Sequence, residues 1–313
     1  MILSISRRTD IPAFYSKWLI NCIREGFVMV RNPMNYHAIS KIDLNPQVVD
    51  CIVFWSKNPQ PLFQYLDELD KNYQFYFQYT INAYGRDLEP NLPTLDERIE
   101  NCIFLSKRYG NEKVIWRYDP IILTDSYTIE WHLKNFETIA HKLSGYVKTC
   151  VFSFVDVYDK NRNRLSGVHM HSITREQIKQ LSTQLNEIAK KFEIKLKTCC
   201  ETIDLSELGV EHSCCIDPKL ISKIIDCQIN VKKDKNQRAS CGCAESIDIG
   251  QYNTCQHDCV YCYANYNVET VKTNCKKHIS TSPLLLGEVE EKDKINSRKV
   301  ESLKQLQTNF FNI

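Results

Sequence analysis

Fifteen cysteines stand in this 313-residue chain, and eleven of them fall from Cys199 onward. The tightest group is Cys255, Cys259 and Cys262, in the run Asn253-Thr254-Cys255-Gln256-His257-Asp258-Cys259-Val260-Tyr261-Cys262-Tyr263-Ala264-Asn265. A cubane iron–sulfur cluster has four irons and takes four ligands, usually thiolates. Three cysteines spaced in this way on one short loop serve three irons and leave the fourth open to a small molecule. Zinc is the plainer alternative. It wants a closed tetrahedral set, which Cys259 and Cys262 would complete with Cys241 and Cys243. Three free buried thiols fit less well, because His257 and Asp258 make the loop polar.

Seven more cysteines crowd into 45 residues: Cys199, Cys200, Cys214, Cys215, Cys227, Cys241 and Cys243. An auxiliary metal or iron–sulfur site would need three or four of them. Cys241 and Cys243 are first choices, with Cys199 and Cys215 next. The competing reading is that several are small core residues, since free cysteine is often buried. An odd count without a leader argues against a disulfide framework and for ligation in a reducing compartment.

These residues need a frame. Through residue 200 the chain alternates short apolar strands with amphipathic helices. Strands are expected at Ile2–Ser6, Val49–Trp55, Tyr73–Ile81, Lys113–Tyr118, Thr149–Val157 and Ile194–Cys200, all rich in Val, Ile, Phe and Tyr. Helices are expected at Phe14–Glu25, Gln60–Leu69, Leu95–Tyr109, Ile129–Leu143 and Arg175–Lys191. A hairpin-like insertion spans Phe27–Ile42. Repeated βα units make a parallel sheet with right-handed crossovers. Six in one run favour a full or partial (β/α) barrel over an open doubly wound sheet. No GxGxxG follows any strand, and the chain has only nine glycines, which argues against a dinucleotide or P-loop site. Residues 1–200 thus read as a barrel-like core. Residues 201–313 read as a cysteine-rich segment that packs on the core and completes it. This segment has a basic connector Val231–Arg238, a short strand Ser246–Ile249 and a terminal helix Ile295–Leu306.

Ligands of such sheets collect at the carboxyl ends of the strands. Those ends are polar here: Ser6 to Asp10, Ser56 to Asn58, Gln78 to Thr80 with Asn82, Arg117 to Asp119, Ser153 with Asp156, and Glu201. Singly, each reads as well as a structural pair or a helix cap. Together they mark a polar pocket. Arg7, Arg8, Asp10, Lys57, Arg117 and Asp119 are the candidate cofactor and substrate contacts. Two arginines in one pocket would want a carboxylate or phosphate unless Asp10 and Asp119 neutralise them.

Several long strings carry a resemblance: 6–15 (SRRTDIPAFY), 50–59 (DCIVFWSKNP), 84–90 (YGRDLEP), 116–120 (WRYDP) and 248–255 (DIGQYNTC). They resemble the bacterial domain-of-unknown-function family numbered 1848 over nearly the whole chain. That family supplies no reaction. The loop, with Tyr261 before its third cysteine, is also similar to those of radical S-adenosylmethionine (SAM) enzymes. Its Cys262-Tyr263-Ala264 ending is similar to the spore-photoproduct-lyase-like branch. What this resemblance implies is a 4Fe–4S cluster whose open iron chelates SAM through its amino and carboxylate groups. One-electron reduction then releases a 5′-deoxyadenosyl radical. A one-electron donor such as flavodoxin or ferredoxin would feed it.

In radical SAM barrels the cysteine loop follows the first strand. Here only 51 residues follow Cys262. The expectation is therefore a circular permutation, with Ser246–Ile249 lying parallel to Ile2–Ser6. The glycine-rich SAM stretch would map to Ser6–Asp10, which holds no glycine. The rivals are a non-catalytic iron–sulfur or zinc protein, serving structure or electron relay, and a nucleic-acid repair lyase suggested by the loop and the basic connector. A net charge of +2 gives no global field toward nucleic acid, and no apolar run is long enough to span a membrane. Ser6-Arg7-Arg8 is a poor export signal, because its apolar stretch precedes the arginines. The expected location is cytoplasmic.

Overall fold

The computed structural model describes residues 1–238 and 240–305. In chain order the elements are β1 (Ile2–Ile5), α1 (Ile11–Phe14), α2 (Ser16–Glu25), β2 (Phe27–Asn32), β3 (Asn35–Asp43), β4 (Cys51–Ser56), α3 (Leu66–Leu69) and β5 (Phe75–Thr80). They continue with α4 (Leu95–Tyr109), β6 (Val114–Ile121), α5 (Ile129–Leu143), β7 (Thr149–Phe154), α6 (Asp159–Leu165), α7 (Arg175–Lys191) and β8 (Lys195–Thr198). The last are β9 (Glu211–His212), α8 (Pro218–Ile224), β10 (Ile247–Asp248), α9 (Val268–Cys275) and β11 (Lys294–Ser297).

Three helices have the expected bounds because their first turns are capped. Thr94, Thr128 and Thr174 each accept a backbone N–H from three residues on, and Glu97 and Gln177 return the bond to the cap. The segment expected as one helix over Phe14–Glu25 is instead two, α1 and α2, meeting at Tyr15. The first part of Gln60–Leu69 is a tighter 3₁₀ turn, Gln60–Tyr65.

Eight strands form one parallel sheet in the order β10-β1-β4-β5-β6-β7-β8-β9. The expected pairing of the late strand with the first is present: Leu3 faces Ile247 and Ser4 faces Asp248, in parallel. Side chains alternate between two faces. Phe54, Phe77, Trp116 and Phe152 meet the helices in the larger core, with Trp18, Phe136 and Leu185. Ile2, Val53, Tyr76, Ile115 and Val151 point the other way. A parallel sheet must be covered on both faces. The second cover is the cysteine-rich segment, whose Cys215, Ile216, Ile221, Cys241, Cys243 and Ala244 join that second core. Residues beyond 200 also supply both edge strands, β9 and β10. Between those edges, Ala244 N–H donates to the carbonyl of Ile216 over 3.0 Å.

The insertion is the expected hairpin, β2 antiparallel to β3. The expected terminal helix Ile295–Leu306 is not formed. Lys294–Ser297 is a strand, β11, running parallel to β3, and residue 306 lies outside the described residues. Pairing with an open hairpin edge has overridden a weak helical period.

Candidate metal and ligand site

The carboxyl ends of the strands open into a cavity of ≈ 760 Å³. That is within the range of roughly 300–1,000 Å³ common for small-molecule sites. All six candidate contacts, Arg7, Arg8, Asp10, Lys57, Arg117 and Asp119, line it, together with Cys255, Cys259 and Cys262.

The loop enters this wall because β10 delivers it beside β1. Asp248 ties the two strand ends together. It accepts from Ser6 Oγ at 2.6 Å and from Arg7 N–H at 2.8 Å. Gly250 then passes so close to β1 that a Cβ there would lie 2.6 Å from Ser6 Cβ. Further on, Asn253 and Asp258 take left-handed backbone (φ 58° each), which their short polar side chains tolerate. Arg164 of α6 holds the second of these turns, donating to the Asp258 carbonyl at 2.9 Å and its carboxylate at 2.5 Å. Asn161 donates to the Tyr261 carbonyl at 3.0 Å, and Asn265 to the Cys255 carbonyl at 2.7 Å. Tyr263 Oη reaches the carbonyl of Arg7 at 2.9 Å.

Burial raises all three loop thiols, Cys259 to about 12. Without a metal they hold their protons, and a metal would take the protons' place. Two have backbone donors aimed at sulfur: His257 N–H at Cys255, and Ala264 N–H (3.4 Å) with Asn265 N–H at Cys262. Such bonds suit ligating thiolates and tune cluster potential. Two polar atoms of the same wall are buried without a partner among the described residues: His257 Nδ1 and Thr9 Oγ1. The donor set therefore fits a sulfur-bound metal group beside a polar ligand.

Beneath the loop is a buried ionic knot. Glu89, 2% exposed, faces Lys57 Nζ at 2.8 Å and Arg98 Nη1 at 3.4 Å, and accepts the Tyr261 hydroxyl. Burial would raise its carboxyl, but the charges of Lys57 and Arg98 outweigh it and hold the pKa below the ordinary carboxylate value. Burial would lower Lys57, but Glu89 outweighs that and raises it. Asp10 caps α1 through Ala13 N–H, accepts from Ser56 Oγ and Lys57 N–H at 2.8 Å each, and meets His257 Nε2 at 2.8 Å.

Each arginine already has a carboxylate. Arg117 pairs with Asp119 at 2.5 Å, Arg7 with Asp234 at 3.6 Å, and Arg8 with Asp248 at 4.0 Å. The guanidinium carbons of Arg7 and Arg117 lie 5.6 and 5.4 Å from the Trp55 ring. Asp119 thus neutralises Arg117, as the alternative to an anionic ligand required. Asp10 does not; it serves His257, and Asp234 and Asp248 take its place. Excess positive charge is therefore no argument for an anionic ligand. Arg8, with the longest pair and a side chain 27% exposed, is the arginine freest to turn toward one. The basic connector is a wall of the cavity: its Arg238 pairs with Asp156, and its Asp234 is buried against Arg7.

The four auxiliary candidates, Cys199, Cys215, Cys241 and Cys243, come together on the same cavity, joined by Cys200. Cys199 and Cys215 sulfurs are 3.1 Å apart. Cys227 and Cys275 do not line the cavity. Sequence reasoning missed Glu89, Arg98, Asn161 and Arg164 as parts of the site, and gave Thr9 and His257 no role of their own. Glu89 sits in the 84–90 string, which was the one signal available for it. α6 gave no apolar period from which to place Asn161 and Arg164.

The family model described as Domain of unknown function (DUF1848) matches residues 2–264. No curated protein matches the chain. Among solved structures, a candidate alpha-L-fucosidase from Bacteroides thetaiotaomicron is similar at 12% identity and a TM-score of 0.24, over 57% of this chain and 82% of that one. Among the described residues, no helix is long and apolar enough to cross a membrane.

Proposed function

The chain belongs to this family of unknown function, and we propose that it is a radical-SAM-like iron–sulfur enzyme acting on a small polar substrate. The observation that carries the reading is the position of the cysteine loop. Cys255, Cys259 and Cys262 follow a strand laid parallel to β1 and face a polar cavity at the carboxyl ends of the sheet. In this reading the sheet is a barrel-like partial barrel, circularly permuted so that the cluster-bearing unit comes last. Three thiolates would hold a 4Fe–4S cluster and leave one iron for SAM. When bound, the pair would supply reductive cleavage of the sulfonium and abstraction of a substrate hydrogen atom, with the electron from a flavodoxin- or ferredoxin-like donor.

The chain's own residues have clear parts. Arg164 and Asn161 fix the loop, and Glu89 fixes Tyr261 and Lys57. Thr9 and His257 offer the unpartnered polar atoms to a ligand. Arg8 is the guanidinium able to meet a carboxylate or phosphate, of SAM or of substrate.

The test is anaerobic reconstitution with iron and sulfide, followed by reduction in the presence of SAM. The reading expects SAM to change the electron-spin signal and 5′-deoxyadenosine to be released. An iron-loaded protein whose signal ignores SAM, and which releases none, would be a non-catalytic cluster protein instead.

A further inference from the structure

Three segments far apart in sequence bring five thiols into one ring. Cys199 and Cys200 directly follow β8, Cys215 lies just beyond β9, and Cys241 and Cys243 precede β10. The sulfurs of Cys199 and Cys215 meet at 3.1 Å, and Cys200, Cys241 and Cys243 line the same wall of the cavity. The ring spans the gap between the two edges of the sheet, where Ile216 and Ala244 are hydrogen-bonded.

A buried thiol is ordinarily a small apolar residue with a weak donor. These five are placed differently. Arg117, 5% exposed, points Nη1 at Cys215 Sγ from 2.9 Å. Ile216 N–H points at Cys243 Sγ from 3.4 Å. A guanidinium and an amide aimed at sulfur suit a thiol that gives up its proton on binding metal, since a buried thiolate needs positive charge nearby. The backbone is shaped to the same end. Cys200 adopts φ 57°, which a cysteine rarely takes. Gly242 lets the Cys241-Gly242-Cys243 turn approach Cys214, whose sulfur lies 2.7 Å from where a Cβ would stand. Tyr76 Oη and Gln78 Nε2 hold the carbonyl of Cys215, at 2.7 and 2.8 Å, from inside the sheet.

We propose that Cys199, Cys215, Cys241 and Cys243 bind a second iron–sulfur cluster, on the same cavity as the loop and separate from it. Cys200 completes the ring as an accessory thiol. A single zinc ion fits the ring less well. Bonds of about 2.3 Å in a tetrahedron would draw four sulfurs to mutual distances of about 3.8 Å. Among the described residues no three thiols lie mutually within 4.8 Å. A cubane holds its ligating sulfurs wider apart than the 3.1 Å between Cys199 and Cys215, so loading it must part that pair. Since Arg117 donates to Cys215 and pairs with Asp119, the second site is linked directly to the ligand cavity.

The site does not depend on the loop, and the experiment separates the two. The full chain is reconstituted anaerobically in three forms: parent, a loop variant (C255A/C259A/C262A), and a ring variant (C199A/C215A/C241A/C243A). Iron, zinc and acid-labile sulfide are measured per folded chain. The expected iron content is about eight, four and four, from four irons per cubane. A parent with about four irons, all lost in the loop variant, overturns the second cluster and leaves the proposed function standing. Iron retained in full by the loop variant overturns the loop cluster instead. Zinc without sulfide in the loop variant, or a Cys199–Cys215 disulfide found by thiol counting there, also overturns the proposal. Should the ring variant fail to fold, the iron left in the loop variant decides the matter, with C200S as a control expected to keep its iron.

Discussion

Replacing Glu89 with alanine leaves two cations without their shared partner under the cysteine loop. Lys57 and Arg98 have side chains only 16% and 3% exposed, and both face the Glu89 carboxylate. Removing one member of a buried pair costs about 3–5 kcal/mol, because the remaining charge cannot recover its water. The Tyr261 hydroxyl also loses its acceptor, which adds about 1 kcal/mol. For a domain of this size each kcal/mol moves the thermal midpoint by roughly 2 °C, so a fall on the order of 8–12 °C is expected. Circular dichroism during heating measures it, alongside iron retained by the reconstituted loop. Glu89→Gln keeps the shape and should fall between. The pH dependence has a definite sign. Glu89 is held below its ordinary value, so its contribution is present above the unfolded carboxylate pKa and is lost as pH falls through the depressed folded one. The gap between parent and Glu89→Gln should therefore close in acid. A Glu89→Ala protein that melts within 1 °C of the parent and keeps its loop iron would refute the idea that this knot holds the loop.

Three further outcomes are expected. Gly250→Ala should cost about 1–3 kcal/mol by forcing β10 away from Ser6, read as a lower denaturant midpoint; an unchanged midpoint would mean the close approach is slack. Arg164→Ala should leave global stability nearly unchanged yet speed iron loss to a chelator severalfold, because its two bonds hold only the Asp258 turn; equal rates would remove α6 from the account. His132, fully buried between Tyr118 Oη and the Ile122 carbonyl, is lowered by burial to about 4. The unfolded chain binds its proton between about pH 6.5 and 4 while the folded chain does not, so the parent should lose on the order of 3 kcal/mol relative to His132→Gln over that window, and parallel stability curves would contradict it.

The βα units of the parallel sheet were legible because each carries a redundant signal. α4, α5 and α7 combine an apolar period with a threonine cap, and β1 and β4 to β8 are short apolar runs closed by polar ends. The parallel placement of β10 beside β1 followed from counting: too little chain remains after Cys262 for a barrel to form behind it. Ile295 was misread because four exposed residues of edge strand carry almost no pattern, and only the open edge of β3 decides their state. The ionic knot at Glu89 was hidden for another reason. Lys57, Glu89, Arg98 and Tyr261 come from four separate segments, and charge type alone does not tell a buried partner from a solvated one. Asp10 shows the same limit. Its sequence marks it as a cavity contact, with arginine pairing as the alternative, yet its neighbours in space are Ser56, Lys57 and His257.

The central claim is an open iron on the loop cluster that SAM occupies. Electron–nuclear double resonance on the reduced, reconstituted protein tests it most directly, using SAM labelled isotopically in its amino nitrogen and carboxylate oxygen. The account predicts hyperfine coupling from both labels to the cluster spin, absent in the C255A/C259A/C262A variant. A fully iron-loaded protein that shows neither coupling would contradict it.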